Sequence, residues 1–311
     1  MSEQCTNAIM MIRPARFGFN PQTAESNAFQ SQDEQLDAAT IAAEAVREFD
    51  EFVLQLKHIG VEVIVIHDTP DENRPDAIFP NNWISFHENG TVITYPMHSK
   101  NRRLERKEEI IETLGLVFDI KHRYSFEFYE NDGKFLEGTG SMVLDRPNRT
   151  VYACLGPRTD IFLLDQFCLL MNYKLVNFYA NDQNNTAIYH TNVIMAIGDK
   201  YAVVCLDCIT DEEKKKEVAG TLEASGKEVI AISLDQVYHF AGNMLQVTGR
   251  NDEKFLILSR QAYDSLTTKQ TDTLTQYNKL IPIDVSTIEK YGGGSVRCMM
   301  AEVFLPKKQI G

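Results

Sequence analysis

Residues 293–304 read GGSVRCMMAEVF, a glycine-led turn running into an apolar stretch that reads as a strand. The same shape, a turn of small or amide residues and then a strand, occurs four more times. The other copies are IFPNNWISF at 78–86, FLEGTGSMVLD at 135–145, IYHTNVIMAIGD at 188–199 and HFAGNMLQVTG at 239–249. Matching positions are Asn82, Gly140, Asn192, Asn243 and Arg297, which lie 58, 52, 51 and 54 residues apart. Between successive members the chain offers two or three strand patterns and one helical pattern. A unit that small cannot bury its own apolar face, so it must pack on its neighbours. The expectation is an α/β chain closed into a ring of about five units, with the five turns converging at one end of a shared axis.

Composition sets outer bounds. An apolar fraction of 43% with 24% charged residues is that of a soluble globular chain. No Pro/Ser-rich linker divides it, so a single domain over residues 1–311 is expected. The net charge of −13 argues against a nucleic-acid or anionic-membrane partner. Apolar runs such as 192–197 and 201–205 are too short to span a bilayer. The N-terminus has no basic region followed by an apolar one, so no signal peptide is read and a cytoplasmic location is expected. The six cysteines are scattered through a long chain, which does not suit a disulfide-stapled scaffold. Cys205 and Cys208 form a C-x-x-C, but no second pair accompanies it, and alternation favours buried strand positions. No zinc-binding histidine motif is present, so no metal is expected.

Helical spacing is readable at about 33–59, 104–114, 160–172, 211–225 and 260–277, the first with Asp33 as a cap and Gly60 as a stop. Strand patterns fall between them: VEVIVIHD, TVITYP, GLVFDI, SMVLD, TVYACL, KLVNFYA, NVIMAIGD, YAVVCLD, EVIAIS, MLQVTG, FLILS, KLIPIDV and VRCMMAEVF.

The converging turns hold most of the reactive side chains: Asp76, Asn81 and Asn82 in the first, Glu137 in the second, His190 in the third, Asn243 in the fourth and Cys298 in the fifth. Cys298, His190 and Glu137 form a candidate nucleophile, base and orienting carboxylate. Each has a plainer reading: a buried strand thiol, a structural histidine, a solvated turn carboxylate. Among the histidines, His190 is set apart by its place in a repeated turn, with His239 next.

At these residues the chain resembles the guanidino-group-modifying enzymes, or penteins: arginine deiminases, dimethylarginine dimethylaminohydrolases and amidinotransferases. GGGSVRCM looks like the family's nucleophile motif. FLEGTGS is similar to its Leu-Glu-Gly-Gly-Asp, with Thr139 and Ser141 departing. IYHTNV, CLGPRTD, PDAIFPNNW and NRRLERKE match the remaining motifs in order, and the resemblance spans about residues 8–306. The nearest subgroup is the bacterial citrulline-utilization hydrolases.

The resemblance implies a five-bladed α/β propeller of ββαβ repeats that needs no cofactor. Cys298 would attack the trigonal carbon, His190 would move protons and Glu137 would hold the imidazolium. Asp76 would bond the substrate N–H groups, and Arg158 with Arg102 or Arg103 would bind the carboxylate of an amino-acid substrate. Asn81 and Asn82 stand where deiminases and dimethylarginine hydrolases often carry carboxylates. An amide can donate to a neutral C=O, which a ureido group has and a guanidinium lacks. The expected activity is therefore cysteine-dependent hydrolysis of a C–N bond in a ureido or guanidino small molecule. Citrulline is favoured over arginine or methylarginine. An amidinotransferase and a non-catalytic binding protein are the alternatives, and the sequence leaves room for a homodimer.

Overall fold

The chain begins and ends in one sheet. In the computed structural model, which describes residues 3–24, 27, 29–31 and 36–309, β1 (Ala8–Arg13) leads through the one-turn helix α1 (Pro21–Ala24) to α2 (Ala38–His58) and β2 (Glu62–His67). The second unit is β3 (Ile84–Phe86), β4 (Thr91–Thr94), α3 (Glu108–Val117) and β5 (His122–Ser125). The third opens on the short helix α4 (Gly138–Ser141), then β6 (Val143–Asp145), β7 (Thr150–Cys154), α5 (Ile161–Met171) and β8 (Lys174–Phe178). The fourth is β9 (Met195–Ile197), β10 (Tyr201–Val204), α6 (Glu212–Ala224) and β11 (Glu228–Ala231). The fifth opens on α7 (Leu234–Tyr238), then β12 (Leu245–Thr248), β13 (Lys254–Ser259), α8 (Arg260–Ser265), α9 (Thr268–Thr275) and β14 (Lys279–Ile283). Finally α10 (Ser286–Gly292) leads to β15 (Ala301–Glu302).

Five three-stranded sheets result, β15-β1-β2, β3-β4-β5, β6-β7-β8, β9-β10-β11 and β12-β13-β14. Each has one antiparallel pair and one parallel pair, the parallel pair joined by a helical crossover. This is the ββαβ unit of the pentein propeller, repeated five times. The ring is tied where its ends meet: Ile9 pairs with Glu302 and Met10 with Ala301. The Gln4 amide donates to Leu144 O (2.9 Å) and Ile197 O (3.2 Å), and Thr248 N–H donates to Thr6 O (2.9 Å), so the N-terminal segment joins four blades.

The helices bury one face each. Phe49, Phe52 and Leu56 of α2 are fully buried, and each such burial stabilises by about 1.5–3 kcal/mol. Asp37, Asp160 and Asp211 cap α2, α5 and α6 by accepting backbone N–H bonds. Several expected boundaries move. The first long helix starts at Ala38 on Asp37, and Asp33 lies outside the described residues. The span read as 260–277 is two helices, because Thr267 makes its own capping box with Gln270. GLVFDI is not a strand: α3 runs to Val117, and the paired strand is His122–Ser125, exposed throughout and without apolar alternation. The strand expected over VRCMMAEVF pairs only at Ala301–Glu302, which leaves Cys298 in the turn before it. β1 was not expected at all. Cys205 and Cys208 are buried thiols at the end of β10 and in the turn after it.

No helix among the described residues is long and apolar enough to cross a membrane.

Candidate active site

The first, third and fifth turns line one cavity, and the second and fourth reach it through Glu137 on His190 and Asn243 on Cys298. It is lined by Asp76, Asn82, Arg102, Arg158, His190 and Cys298, with Thr23, Asn27, Phe79, Tyr189 and Gly292 to Gly294 completing the wall. All six of the first group are buried.

Cys298 sits in a tight turn, its N–H donating to Ser295 O (2.9 Å). Two side-chain amides point at its sulfur: Asn243 Nδ2 at 3.3 Å and Asn192 Nδ2 at 3.6 Å. Asn243 cannot turn its amide over, because its Oδ1 accepts Arg297 N–H (3.1 Å) and its Nδ2 also donates to Asn192 O (2.9 Å). An anionic sulfur accepts such bonds more strongly than a thiol does. From sequence Asn243 is only the polar residue of the fourth turn, with no role given, and Asn192 is not a candidate. Their recurrence at the position of Asn82 in the repeated turn was the available clue.

His190 Nε2 lies 2.8 Å from Glu137 Oε2. Glu137 is wholly buried; its other oxygen accepts His98 N–H (3.0 Å), and the Arg158 guanidinium stands 3.5 Å away. Burial alone would raise the Glu137 carboxyl, but Arg158, the His190 hydrogen bond and Arg102 together hold it well below the usual carboxylate range. Burial pushes His190 down to about 4, against the upward pull of Glu137, so the imidazole is neutral at pH 7. Gly140 permits this packing, since a Cβ there would come within 2.8 Å of His190 Nδ1 and strike the Asn82 amide.

Asp76 Oδ2 accepts Asn20 Nδ2 (2.7 Å) and Thr23 Oγ1 (3.2 Å), whereas Oδ1 has no partner among the described residues. Burial pushes the Asp76 carboxyl up. Asn82 is its counterpart. Its Oδ1 accepts Arg102 Nη1 (2.8 Å), and its Nδ2 has no partner among the described residues. Turning that amide over would set an NH2 group against a guanidinium, so Arg102 fixes the donor side.

Of the three arginines expected to serve a substrate carboxylate, Arg102 and Arg158 line the cavity. Arg102 is held bidentately by Glu105 (2.8 and 2.9 Å), and Arg158 donates to Thr23 O (3.1 Å) and lies over the Tyr189 ring at 4.9 Å. Arg103 is outside the cavity; it donates to Met97 O (3.0 Å) and pairs with Glu130 (3.2 Å). Asn81 is also outside, its amide on Thr139 Oγ1 (3.3 Å). His239 faces Asp235 O (2.9 Å) away from the cavity.

Beneath the glycine turn, Glu289 is buried among neutral partners: Ser295 Oγ donates to it (2.6 Å), as does Gln261 Nε2 (3.0 Å). Burial pushes this carboxyl up to about 7, although Ser259, Ser295 and Gln261 pull it down. Between an unfolded value of about 4.5 and 7, the folded chain keeps a proton that the unfolded chain has released. Folding stability therefore falls as pH rises through that window. Glu289→Gln removes the effect, so thermal or urea melts should show the variant gaining roughly 3 kcal/mol on the parent between pH 4.5 and pH 8. A gap that is the same at both pH values would contradict this assignment.

Comparison with known proteins follows the same lines. The family described as N,N dimethylarginine dimethylhydrolase, eukaryotic, matches residues 13–305. No curated protein matches the sequence. Among solved structures, the chain is similar to the N-terminal domain of ArgZ, an arginine dihydrolase from the ornithine-ammonia cycle in cyanobacteria, solved with substrate (TM-score 0.73, 16% identity, 96% of this chain and 98% of that one). The same domain with one asparagine changed to serine carries a covalently bound reaction intermediate. AgrE with L-arginine is similar at TM-score 0.74 and 16% identity, over 97% of this chain and 41% of that one. A dimethylarginine dimethylaminohydrolase in an adduct with 4-chloro-2-hydroxymethylpyridine is similar at TM-score 0.62 and 15% identity, over 96% and 100%. At these identities the structural likeness is one of fold.

Proposed function

The chain belongs to the N,N-dimethylarginine dimethylhydrolase family, hydrolases acting on C–N bonds in amidino compounds, and on that premise we propose that it cleaves a ureido amino acid, citrulline first, through an adduct on Cys298. One observation carries the choice of a ureido group. Two residues of the cavity wall carry a buried polar atom without a partner among the described residues: the N–H donor Asn82 Nδ2 and the acceptor Asp76 Oδ1. A ureido group offers a C=O to the first and an N–H to the second. A guanidinium offers only donors and leaves Asn82 unmatched, which costs about 1–3 kcal/mol in a buried site.

Cys298 sulfur bonds to the ureido carbon after neutral His190 takes its proton. His190, its cation held by Glu137, returns that proton to the departing amine. The amine's departure leaves a carbamoyl group on sulfur. Water, deprotonated by His190, attacks that carbon, the C–S bond breaks and the thiol is restored. The carbamic acid released decomposes to carbon dioxide and the second amine. With citrulline, one water is consumed and the products are ornithine, carbon dioxide and ammonia. Asn192 and Asn243 steady the sulfur, Asp76 and Asn82 aim the carbon at it, and Arg102 keeps the Asn82 donor forward. Arg158 balances the Glu137 charge. Because Cys298, Asp76, Asn82, Glu137, His190 and Asn243 come from all five blades, the ring is proposed to act as one domain.

Arginine is the second reading, favoured by the Asp76 carboxylate and by the likeness to AgrE, solved with L-arginine, and to ArgZ, an arginine dihydrolase. Ammonia release from citrulline, arginine, dimethylarginine and agmatine, each at matched concentration, separates them. Citrulline is expected to be turned over at least tenfold faster than the cationic compounds. Good turnover of arginine with citrulline ignored would overturn the ureido assignment.

A further inference from the structure

The free and occupied oxygens of Asp76 are decided by a segment remote in sequence. Between β1 and α2 the chain crosses the cavity, and there Asn20 and Thr23 are both buried. Asn20 Nδ2 donates to Asp76 Oδ2 at 2.7 Å, and the Thr23 hydroxyl lies 3.2 Å from the same oxygen, its one proton shared among Asp76 Oδ2, Asn20 O (3.1 Å) and Gln30 Oε1 (3.1 Å). The Asn20 amide is locked in this sense, because its Oδ1 accepts Asn101 Nδ2 (2.8 Å) and Gln22 N–H (3.2 Å). Gln22 in turn accepts Asn101 N–H (3.1 Å), which ties the segment to the turn that carries Arg102.

A carboxylate with both oxygens open grips a guanidinium as a fork, through two parallel N–H bonds. With Asn20 on Oδ2 and the Thr23 hydroxyl beside it, a second guanidinium N–H must compete for that oxygen, whereas a single N–H meets Oδ1 unopposed. Burial disfavours the Asp76 anion and prevails, although the Asn20 and Thr23 bonds, with Arg102 and Arg158 nearby, favour it. Losing the fork weakens the hold on a guanidinium and leaves a neutral ureido N–H well served.

We infer that Asn20 and Thr23 are specificity-determining residues, which select a ureido group over a guanidinium by occupying one oxygen of Asp76. This rests on the functional reading above and adds residues to it that do not touch the reacting carbon.

The test measures binding of L-citrulline and L-arginine by calorimetry in a Cys298→Ala background, so that turnover does not interfere. Asn20→Ala is expected to raise the arginine-to-citrulline affinity ratio about tenfold. Thr23→Val, which keeps volume, should raise it about threefold, and Thr23→Ser should leave it at the parent value. Thr23→Val serves as the test on its own if Asn20→Ala does not fold. Ratios within twofold of the parent in both variants, or shifts toward citrulline, overturn the inference. A parent that prefers arginine overturns the functional reading, while a ratio that still rises on substitution upholds the role of Asn20 and Thr23. A parent that binds neither compound overturns both.

Discussion

Cys298→Ala is expected to lower ammonia release by roughly 10⁴-fold or more while the fold persists. The sulfur is the nucleophile proposed for the cavity, and its turn brings it against the amides of Asn192 and Asn243. Without it, water must attack the ureido carbon directly, and removing a covalent nucleophile costs several orders of magnitude even where binding groups remain. The substitution takes one sulfur from a turn whose backbone bonds, Cys298 N–H to Ser295 O and Gly293 N–H to Glu289 O, do not involve the side chain. Its effect on stability should be about 1 kcal/mol. Circular dichroism and a melt within a few degrees of the parent, with citrulline still bound, complete the expected result. Activity that survives the change would sink the mechanism.

The second large effect is at Glu137. Glu137→Gln should reduce kcat about 10³-fold with KM little changed. Gln keeps the shape, so one end of the amide must meet the His98 N–H and the other must meet His190. The His98 N–H needs an acceptor, so the amide oxygen goes there and the NH2 faces His190 Nε2. That forces the imidazole to accept at Nε2 and carry its proton on Nδ1, and it removes the charge that holds the imidazolium. The charge that Glu137 presents to Arg158 at 3.5 Å is lost as well. The pH profile separates this from simple damage. In the parent, Glu137 favours the protonated imidazole, yet burial still keeps His190 down at about 4. Removing the carboxylate lowers it further, so the acid limb of kcat/KM should move to lower pH. A limb that moves upward, or a kcat within tenfold of the parent, would contradict the role given to Glu137.

Folding energetics run with this chemistry. His190 has a folded value near 4 and an ordinary value near 6.5, so acid binds a proton to the unfolded chain first. Its contribution to stability is therefore lost as pH falls through that window, opposite in sign to Glu289. The site keeps a neutral histidine and a buried carboxylate at the expense of tolerance to acid.

The five turns and their spacing were legible because an apolar strand behind a small-residue turn leaves a local pattern, and a ring repeats it. The long helices were legible for the same reason, through apolar periodicity and aspartate caps. β5 was not, because its exposed residues HRYS have no apolar alternation and owe their pairing to β4. The strand around Cys298 was overread, because apolar residues in MMAEV are buried by neighbouring blades as well as by strand pairing.

The sequence by itself determined which residue types each converging turn would carry: the thiol, the imidazole, the carboxylates and the repeated amides. Those identities follow from a local pattern that survives without any contact. Tertiary structure alone decided how their polar atoms pair. It set Arg103 on Glu130 and Arg102 on Glu105, put the Asn82 oxygen on Arg102, and brought Asn20 and Thr23 to one oxygen of Asp76. A hydrogen bond consumes a specific lone pair or proton, and which one is consumed depends on atoms brought together across the ring.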